Sequence, residues 1–237
     1  MKPFVADIHM HSFVSGHATG TIRELARAAS ARGLKLIGIT EHGPGIYDTV
    51  HPLYFRSLPH YPRMLHGVEV LYGSEVNILS NGTLSLDRPY LDCLDFACAG
   101  IHASCYFDQG IVNNTDNVIA CMAHPKIRFI THPIDDRYPL DYPALVQGAK
   151  EFDVALEVNN SALCWSTMRP GSMENYEELL PLCMDHQVPL IVNSDAHRPS
   201  AVGDFSMASS LLEWLDVDED LILNQDLDRL KAFLLQK

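Results

Sequence analysis

Residues 6–12 read Ala6-Asp7-Ile8-His9-Met10-His11-Ser12, directly after the apolar pair Phe4-Val5. Side chains along a strand alternate between its faces, so His9 and His11 project one way while Ile8 and Met10 project the other. Two co-directed imidazoles make half of a metal site. Taken alone they also fit a polar strand end that happens to carry histidine. The ends of the other strands decide between the two.

Short β-rich runs recur at residues 4–9, 35–40, 68–76, 96–102, 128–132, 154–159 and 189–194. Helical periodicity fills several of the gaps, at 21–32, 117–124, 143–151 and 174–186, and this alternation predicts βα units and a parallel sheet. The first helix is the most clearly punctuated. Thr21 and Glu24 fit a capping box, Leu25, Ala28 and Ala29 an apolar stripe, and Gly33 a left-handed residue after the end. Two further amphipathic runs, 205–215 and 227–235, close the chain. The connection 43–62, with its prolines, glycines and aromatics, reads as a structured loop, either a lid over a site or surface packing.

The carboxyl ends of the candidate strands settle the opening ambiguity. The first ends in His9 and His11, the second in Thr40-Glu41-His42, the third in Gly73-Ser74-Glu75 and the fourth in Gly100-Ile101-His102. The fifth ends in Thr131-His132-Pro133 and the seventh in Asn193-Ser194-Asp195-Ala196-His197, so every end but the sixth carries a potential metal ligand. Parallel barrels gather their sites at this face, because strand ends distant in sequence converge there. Burying so many imidazoles together without a cation would leave them poorly satisfied. The remaining histidines, His51, His60, His66, His124 and His186, are scattered and read as surface or loop packing.

Bulk properties agree with one core. A chain of 237 residues suits a single domain over 1–237, since α/β barrels use this length for one continuous fold. No apolar run approaches the roughly 20 residues that span a bilayer, so no membrane partner is expected. The first residues, MKPFVADIHMH, lack an apolar signal region and a small-residue cleavage site, which gives a cytoplasmic expectation. The six cysteines (Cys93, Cys98, Cys105, Cys121, Cys164, Cys183) show no C-x-x-C and read as buried thiols. A net charge of −13 argues against sequence-independent binding of a long nucleic acid.

His9-x-His11, the downstream His17, Thr40-Glu41-His42, Glu75, His102, His132 and Asp195-x-His197 together resemble the motif set of the PHP family, named for polymerase and histidinol phosphatase. The likeness is to its small YcdX-like single-domain phosphatases and runs from about residue 5 to about residue 200. One departure stands out: Thr-Glu-His replaces the usual Thr-Asp-His, which alters the surroundings of His42 rather than the ligand itself. The resemblance implies a distorted (β/α)7 TIM-like barrel with up to three divalent metal ions, zinc first, with manganese or iron as alternatives. It implies one ion on His9, His11, Glu75 and Asp195, a second on Glu75, His102 and His132 with Glu75 bridging, and a third on His17, His42 and His197.

Three such ions would outweigh the charge of Glu75 and Asp195 and leave a cationic pocket inside an acidic protein, suited to a small phosphorylated substrate. A hydroxide bridging two ions would be the nucleophile, which makes phosphoester hydrolysis the expected reaction. Val158-Asn159-Asn160-Ser161 leads into Trp165-Ser166-Thr167-Met168-Arg169-Pro170-Gly171-Ser172. There Arg169 reads as a phosphate clamp or as an exposed loop arginine. Asn159 reads as a group that orients water or a bound ligand, or as a turn or helix cap, and Arg56 is a weaker candidate. The leading expectation is a phosphatase on small phosphomonoesters. A PHP-type nuclease on short oligonucleotides, a metal-dependent amidohydrolase and a non-catalytic metal-binding module are the alternatives. Oligomeric state is not legible.

Overall fold

The computed structural model describes residues 1–165 and 167–236. Its strands are β1 (Ala6–Asp7), β2 (Leu36–His42), β3 (Met64–Leu65), β4 (Val68–Asn77), β5 (Ala97–Gly100), β6 (Ile127–Ile130), β7 (Ala155–Asn159) and β8 (Leu190–Asn193). Seven of them run parallel in the order β1-β2-β4-β5-β6-β7-β8, and β3 is an antiparallel spur on β4. The helices are α1 (Ile22–Ala31), α2 (Leu53–Ser57), α3 (Arg88–Leu91), α4 (Ile111–Met122), α5 (Tyr142–Glu151), α6 (Asn160–Cys164), α7 (Ser172–His186), α8 (Ser206–Trp214) and α9 (Leu227–Leu234). None of the described helices is long and apolar enough to cross a membrane.

The seven strands form a nearly closed barrel of the (β/α)7 kind, and side chains make much of the seam between β8 and β1. Asn224 accepts from Val192 N–H at 3.1 Å and donates to the Ala6 carbonyl at 3.0 Å, so one carboxamide stands in for missing ladder bonds. Above it, Ile8 N–H donates to Asn193 Oδ1 at 3.0 Å, and a parallel bridge joins Met10 to Ala196. This arrangement shortens the first strand relative to the expected 4–9. Beyond Asp7 the chain leaves the ladder, and the Met10 N–H is taken by the Thr40 hydroxyl at 3.2 Å.

Apolar packing inside the barrel holds the site at one end. Inside the barrel, Ala6, Ile8, Leu36, Leu71, Phe96, Cys98, Phe129, Ala155 and Ile191 are buried, and Leu223, Leu230, Phe233 and Leu234 from the last segments join that cluster. Room for the Phe96 ring comes from two strand glycines. A Cβ on Gly38 would lie 2.9 Å from the ring and 2.6 Å from the Ile8 carbonyl, and one on Gly73 would lie 2.9 Å from the Phe96 carbonyl. Phe96 and Phe129 stack at 6.1 Å, and Phe129 lies 6.3 Å from the ring of His9, forming an apolar floor beneath the histidines. Burial of Phe129 contributes on the order of 3–5 kcal/mol by large-to-small substitution.

Local structure departs from expectation where polar residues obscure helices. Helix α4 begins at Ile111 rather than near 117, because Asn114, a poor helix former, is buried and accepts from Tyr106 Oη and Gln109 N–H at 3.0 Å each. The 43–62 connection contains α2 and a 3-10 turn at Leu58–His60, with Phe55 and Leu58 buried. The capping box of α1 is complete: Glu24 N–H donates to Thr21 Oγ1, and Thr21 N–H to Glu24 Oε2. All six cysteines are free thiols, but only Cys98, Cys121 and Cys183 are buried, while Cys164 is exposed.

Candidate metal centre

The strand ends bring all nine candidate ligands to one mouth of the barrel. His42 ends β2, Glu75 lies near the end of β4, His102 and His132 follow β5 and β6, and Asp195 and His197 follow β8. His9 and His11 leave β1, and His17 arrives from the loop after a 3-10 turn at Phe13–Ser15. Two of these residues hold left-handed backbone conformations, His132 at φ 34° and Asp195 at φ 52°. Such strain persists only where the surroundings over-determine it.

Glu75 is the hub. Its Oε2 lies 3.0 Å from His42 Nδ1, 3.4 Å from His9 Nε2 and 3.5 Å from His11 Nε2. Its Oε1 lies 2.8 Å from His132 Nε2 and 3.3 Å from His102 Nε2, and accepts from the Thr131 hydroxyl at 2.8 Å. Asp195 Oδ1 sits 3.3 Å from His11 Nε2, 3.6 Å from His9 Nε2 and 3.5 Å from His197 Nδ1. His17 joins through His197, with their Nε2 atoms 3.1 Å apart, and stacks on His42 at 5.0 Å. Three triplets could each present donors to one cation: His9, His11 and Asp195; His11, His42 and His197; and His42, Glu75 and His102.

The donor set fits divalent cations. His42 Nδ1, His102 Nδ1 and Asp195 Oδ1 are buried without a hydrogen-bond partner, although His42 Nδ1 and Asp195 Oδ1 face neighbouring ligands. Facing imidazole nitrogens, as in His9 Nε2 and His11 Nε2 at 3.2 Å, can share only one proton and otherwise oppose lone pairs. Burial, then His42 and His197, hold His11 well below the usual imidazole range, and burial also lowers His17 and His102. These shifts favour the neutral, coordinating form of His11, His17 and His102, whereas at His9 burial is outweighed by the carboxylates of Glu157, Asp195 and Glu75, which hold that ring well above the usual imidazole range. Burial pushes the Glu75 and Asp195 carboxyls upward, but the imidazoles around them outweigh it and keep both well below the usual carboxylate range.

A layer behind these residues orients them, and its central member is Glu157, which the strand-end reading of the sequence does not single out. Glu157 is fully buried: Oε1 lies 2.6 Å from His9 Nδ1 and accepts from Asn193 Nδ2 at 2.9 Å, while Oε2 accepts from His132 N–H at 2.8 Å and Asn159 Nδ2 at 2.9 Å. A carboxylate behind an imidazole fixes its tautomer and raises its basicity. Its signal was a lone acid in the apolar run Ala155–Asn159, two residues before Asn159 and hence on the same face. Asn159 takes the capping role anticipated for it. Its Oδ1 caps α6 through Ala162 N–H at 2.8 Å, and its Nδ2 donates to Asp195 Oδ2 at 3.3 Å. Glu41 accepts from the hydroxyls of Ser12 and Ser15 at 2.5 Å each, and burial pushes its carboxyl up to about 7. Ser15 Oγ lies 3.4 Å from His11 Nδ1, so the longer glutamate acts behind His11 as well as beside His42.

Arg169 points at the centre. Its side chain is 17% exposed, with Nη2 2.9 Å from His132 Nε2 and Nη1 3.5 Å from Asp135 Oδ2. It lines a cleft of about 720 Å³ together with His17, His42, Glu75, His102 and Trp165. From the 43–62 connection only Ile46 reaches that lining, whereas Arg56 is exposed and lies outside it. His51, His60, His66, His124 and His186 are exposed or half-buried, outside the cluster. Ser166, in the stretch that carries Arg169, lies outside the described residues.

The PHP domain model matches residues 7–186. A probable phosphatase of Clostridium novyi is 36% identical over 235 residues, spanning 99% of this chain and 96% of that protein. Among solved structures, histidinol phosphate phosphatase from Lactococcus lactis, complexed with zinc, L-histidinol and phosphate, aligns with a TM-score of 0.59 at 17% identity, covering 90% of this chain and 94% of that one. A chain of archaeal ribonuclease P, solved with mature tRNA, aligns at 0.60 with 12% identity over 97% of this chain and 89% of that one. At such identities these two likenesses are of fold alone. The domain match over most of the chain and the full-length relative place this protein in the PHP family, as a metal-dependent phosphoesterase.

Proposed function

We propose that the protein is a phosphatase of small phosphomonoesters, with up to three divalent ions held by His9, His11, His17, His42, Glu75, His102, His132, Asp195 and His197. The observation that carries the reading is the division of Glu75, whose Oε2 faces His9, His11 and His42 while its Oε1 faces His102 and His132. A carboxylate placed in this way can bridge two cations, and the mixed imidazole and carboxylate set suits zinc, manganese or iron. Zinc is favoured by the Lactococcus lactis protein, which was solved with it.

Bound ions would offset charge on the phosphoryl group and lower the pKa of water, so that it gives up a proton near neutral pH and attacks as hydroxide. The chain's own residues supply the rest. Glu157 holds the His9 ring with Nε2 toward the centre, Asn159 orients Asp195, and Arg169 offers guanidinium donors to phosphoryl oxygens. No serine or cysteine nucleophile is needed. An acid excess of −13 provides no track for successive phosphates, which favours small esters over long nucleic acid. Six free thiols suit a reducing compartment such as the cytoplasm. The test is phosphate release by metal-analysed protein before and after chelation, with metal restored. Turnover lost and regained supports the reading, and full activity in metal-free protein overturns it.

A further inference from the structure

We infer that Asp135 and Arg137 are positioning residues that set Arg169 for phosphate recognition, an inference that rests on the proposed role of Arg169 as the clamp. The segment after His132 grips the main chain on both sides of Arg169. Arg137 Nη2 donates to the Met168 carbonyl at 2.7 Å, and Asp136 N–H donates to the Pro170 carbonyl at 3.0 Å. The Arg169 carbonyl itself accepts from the Ser172 hydroxyl at 2.5 Å. Three consecutive residues, with the arginine in the middle, are thus fixed by named donors.

The guanidinium is tethered as well as its backbone. Asp135, with a side chain 6% exposed, receives a two-pronged grip from Arg137: Nε to Oδ1 at 2.9 Å and Nη2 to Oδ2 at 2.6 Å. The same Oδ2 lies 3.5 Å from Arg169 Nη1. One buried carboxylate therefore faces two arginines. Arg137, 47% exposed, spends its donors on Asp135 and the Met168 carbonyl and is not part of the cleft lining, whereas Arg169 reaches His132 Nε2 at 2.9 Å. Because Asp135 stands three residues after His132, the bracket ties the arginine to the loop that carries a candidate metal ligand.

A flexible arginine loses rotamer freedom when it captures an anion, and a tether that has already restricted it reduces that cost. Planar two-donor geometry is what lets Arg137 hold Asp135 and the Met168 carbonyl together, and a lysine has no such fork. The bracket thus acts on phosphate through Arg169 and has no contact of its own to make with substrate.

The test is a double-variant cycle on metal-loaded protein, with inorganic phosphate as competitive inhibitor and p-nitrophenyl phosphate as substrate. Arg137→Gln and Asp135→Asn should each weaken phosphate inhibition by ~5- to 30-fold and lower kcat/KM to match, with metal stoichiometry unchanged. Arg137→Lys should not rescue. Added to Arg169→Ala, Arg137→Gln should bring no further loss, since the group it positions is gone. Losses that multiply in the double variant, or metal content that falls with activity, would overturn the bracket while leaving the clamp intact. Unchanged phosphate inhibition in Arg169→Ala would instead remove the clamp and the bracket with it. Thermal unfolding of each variant separates these results from loss of fold.

Discussion

Glu157→Gln is the most informative substitution behind the centre, because size is nearly preserved while the four groups that depend on the carboxylate are not. The two oxygens of Glu157 face His9 Nδ1, Asn193 Nδ2, His132 N–H and Asn159 Nδ2, at 2.6–2.9 Å. A glutamine keeps one acceptor and turns an amide NH₂ toward the other two donors. One or two buried donors then lose their partner, depending on whether His9 switches tautomer to accept at Nδ1, at about 1–3 kcal/mol each, so the metal-free protein should lose about 1–6 kcal/mol of folding stability. That is a large share of the ~5–15 kcal/mol typical of a domain. His9 would also lose the carboxylate that fixes its tautomer, and metal affinity should fall by about 10- to 100-fold. Urea unfolding of the metal-free protein measures the first effect and chelator competition the second. An unshifted unfolding midpoint together with wild-type metal affinity would refute the role given to Glu157.

Glu75→Gln should reduce bound metal and bring kcat close to background, because the bridging charge is lost; metal analysis alongside phosphate release checks both. Arg169→Ala should keep its metal while kcat/KM falls by ~10- to 1,000-fold, roughly 1.4–4 kcal/mol of transition-state stabilisation, read from steady-state kinetics. Gly171→Ala should destabilise the protein by about 1–3 kcal/mol, since φ is +77° there and a Cβ would meet the Asp136 carboxylate at 2.2 Å. Its thermal unfolding should show the loss even where metal content is normal.

Most of the centre was legible in the sequence because parallel topology turns a linear feature, the last residue of each strand, into a spatial one. The register His42↔Glu75 between β2 and β4 shows how directly: residues far apart in the chain are ladder neighbours. What lay behind the centre was less legible. Glu157 sits within an apolar strand, where one acid reads as an interruption, and only its partners from elsewhere in the fold, His9, His132 and Asn193, give it meaning. The bracket around Arg169 was hidden for a similar reason, because Asp135 and Arg137 lie in one loop and their targets in another. Short helices such as α2 and α6 were missed because five residues carry too little periodicity to register. Cys164 was expected to be buried but ends α6 at the cleft lining, where it is exposed.

The most direct measurement compares kcat/KM of metal-loaded protein on a panel of small phosphomonoesters, on short oligonucleotides and on long single strands, each across a salt series. Small esters require only the metal centre and Arg169, whereas a long strand must lay its phosphates on a surface with an acid excess. The expected result is highest efficiency on the small monoesters, with weak oligonucleotide binding and a shallow salt slope. Efficiency and affinity that climb steadily with strand length, with a steep salt slope, would contradict the phosphatase reading and put a nuclease in its place.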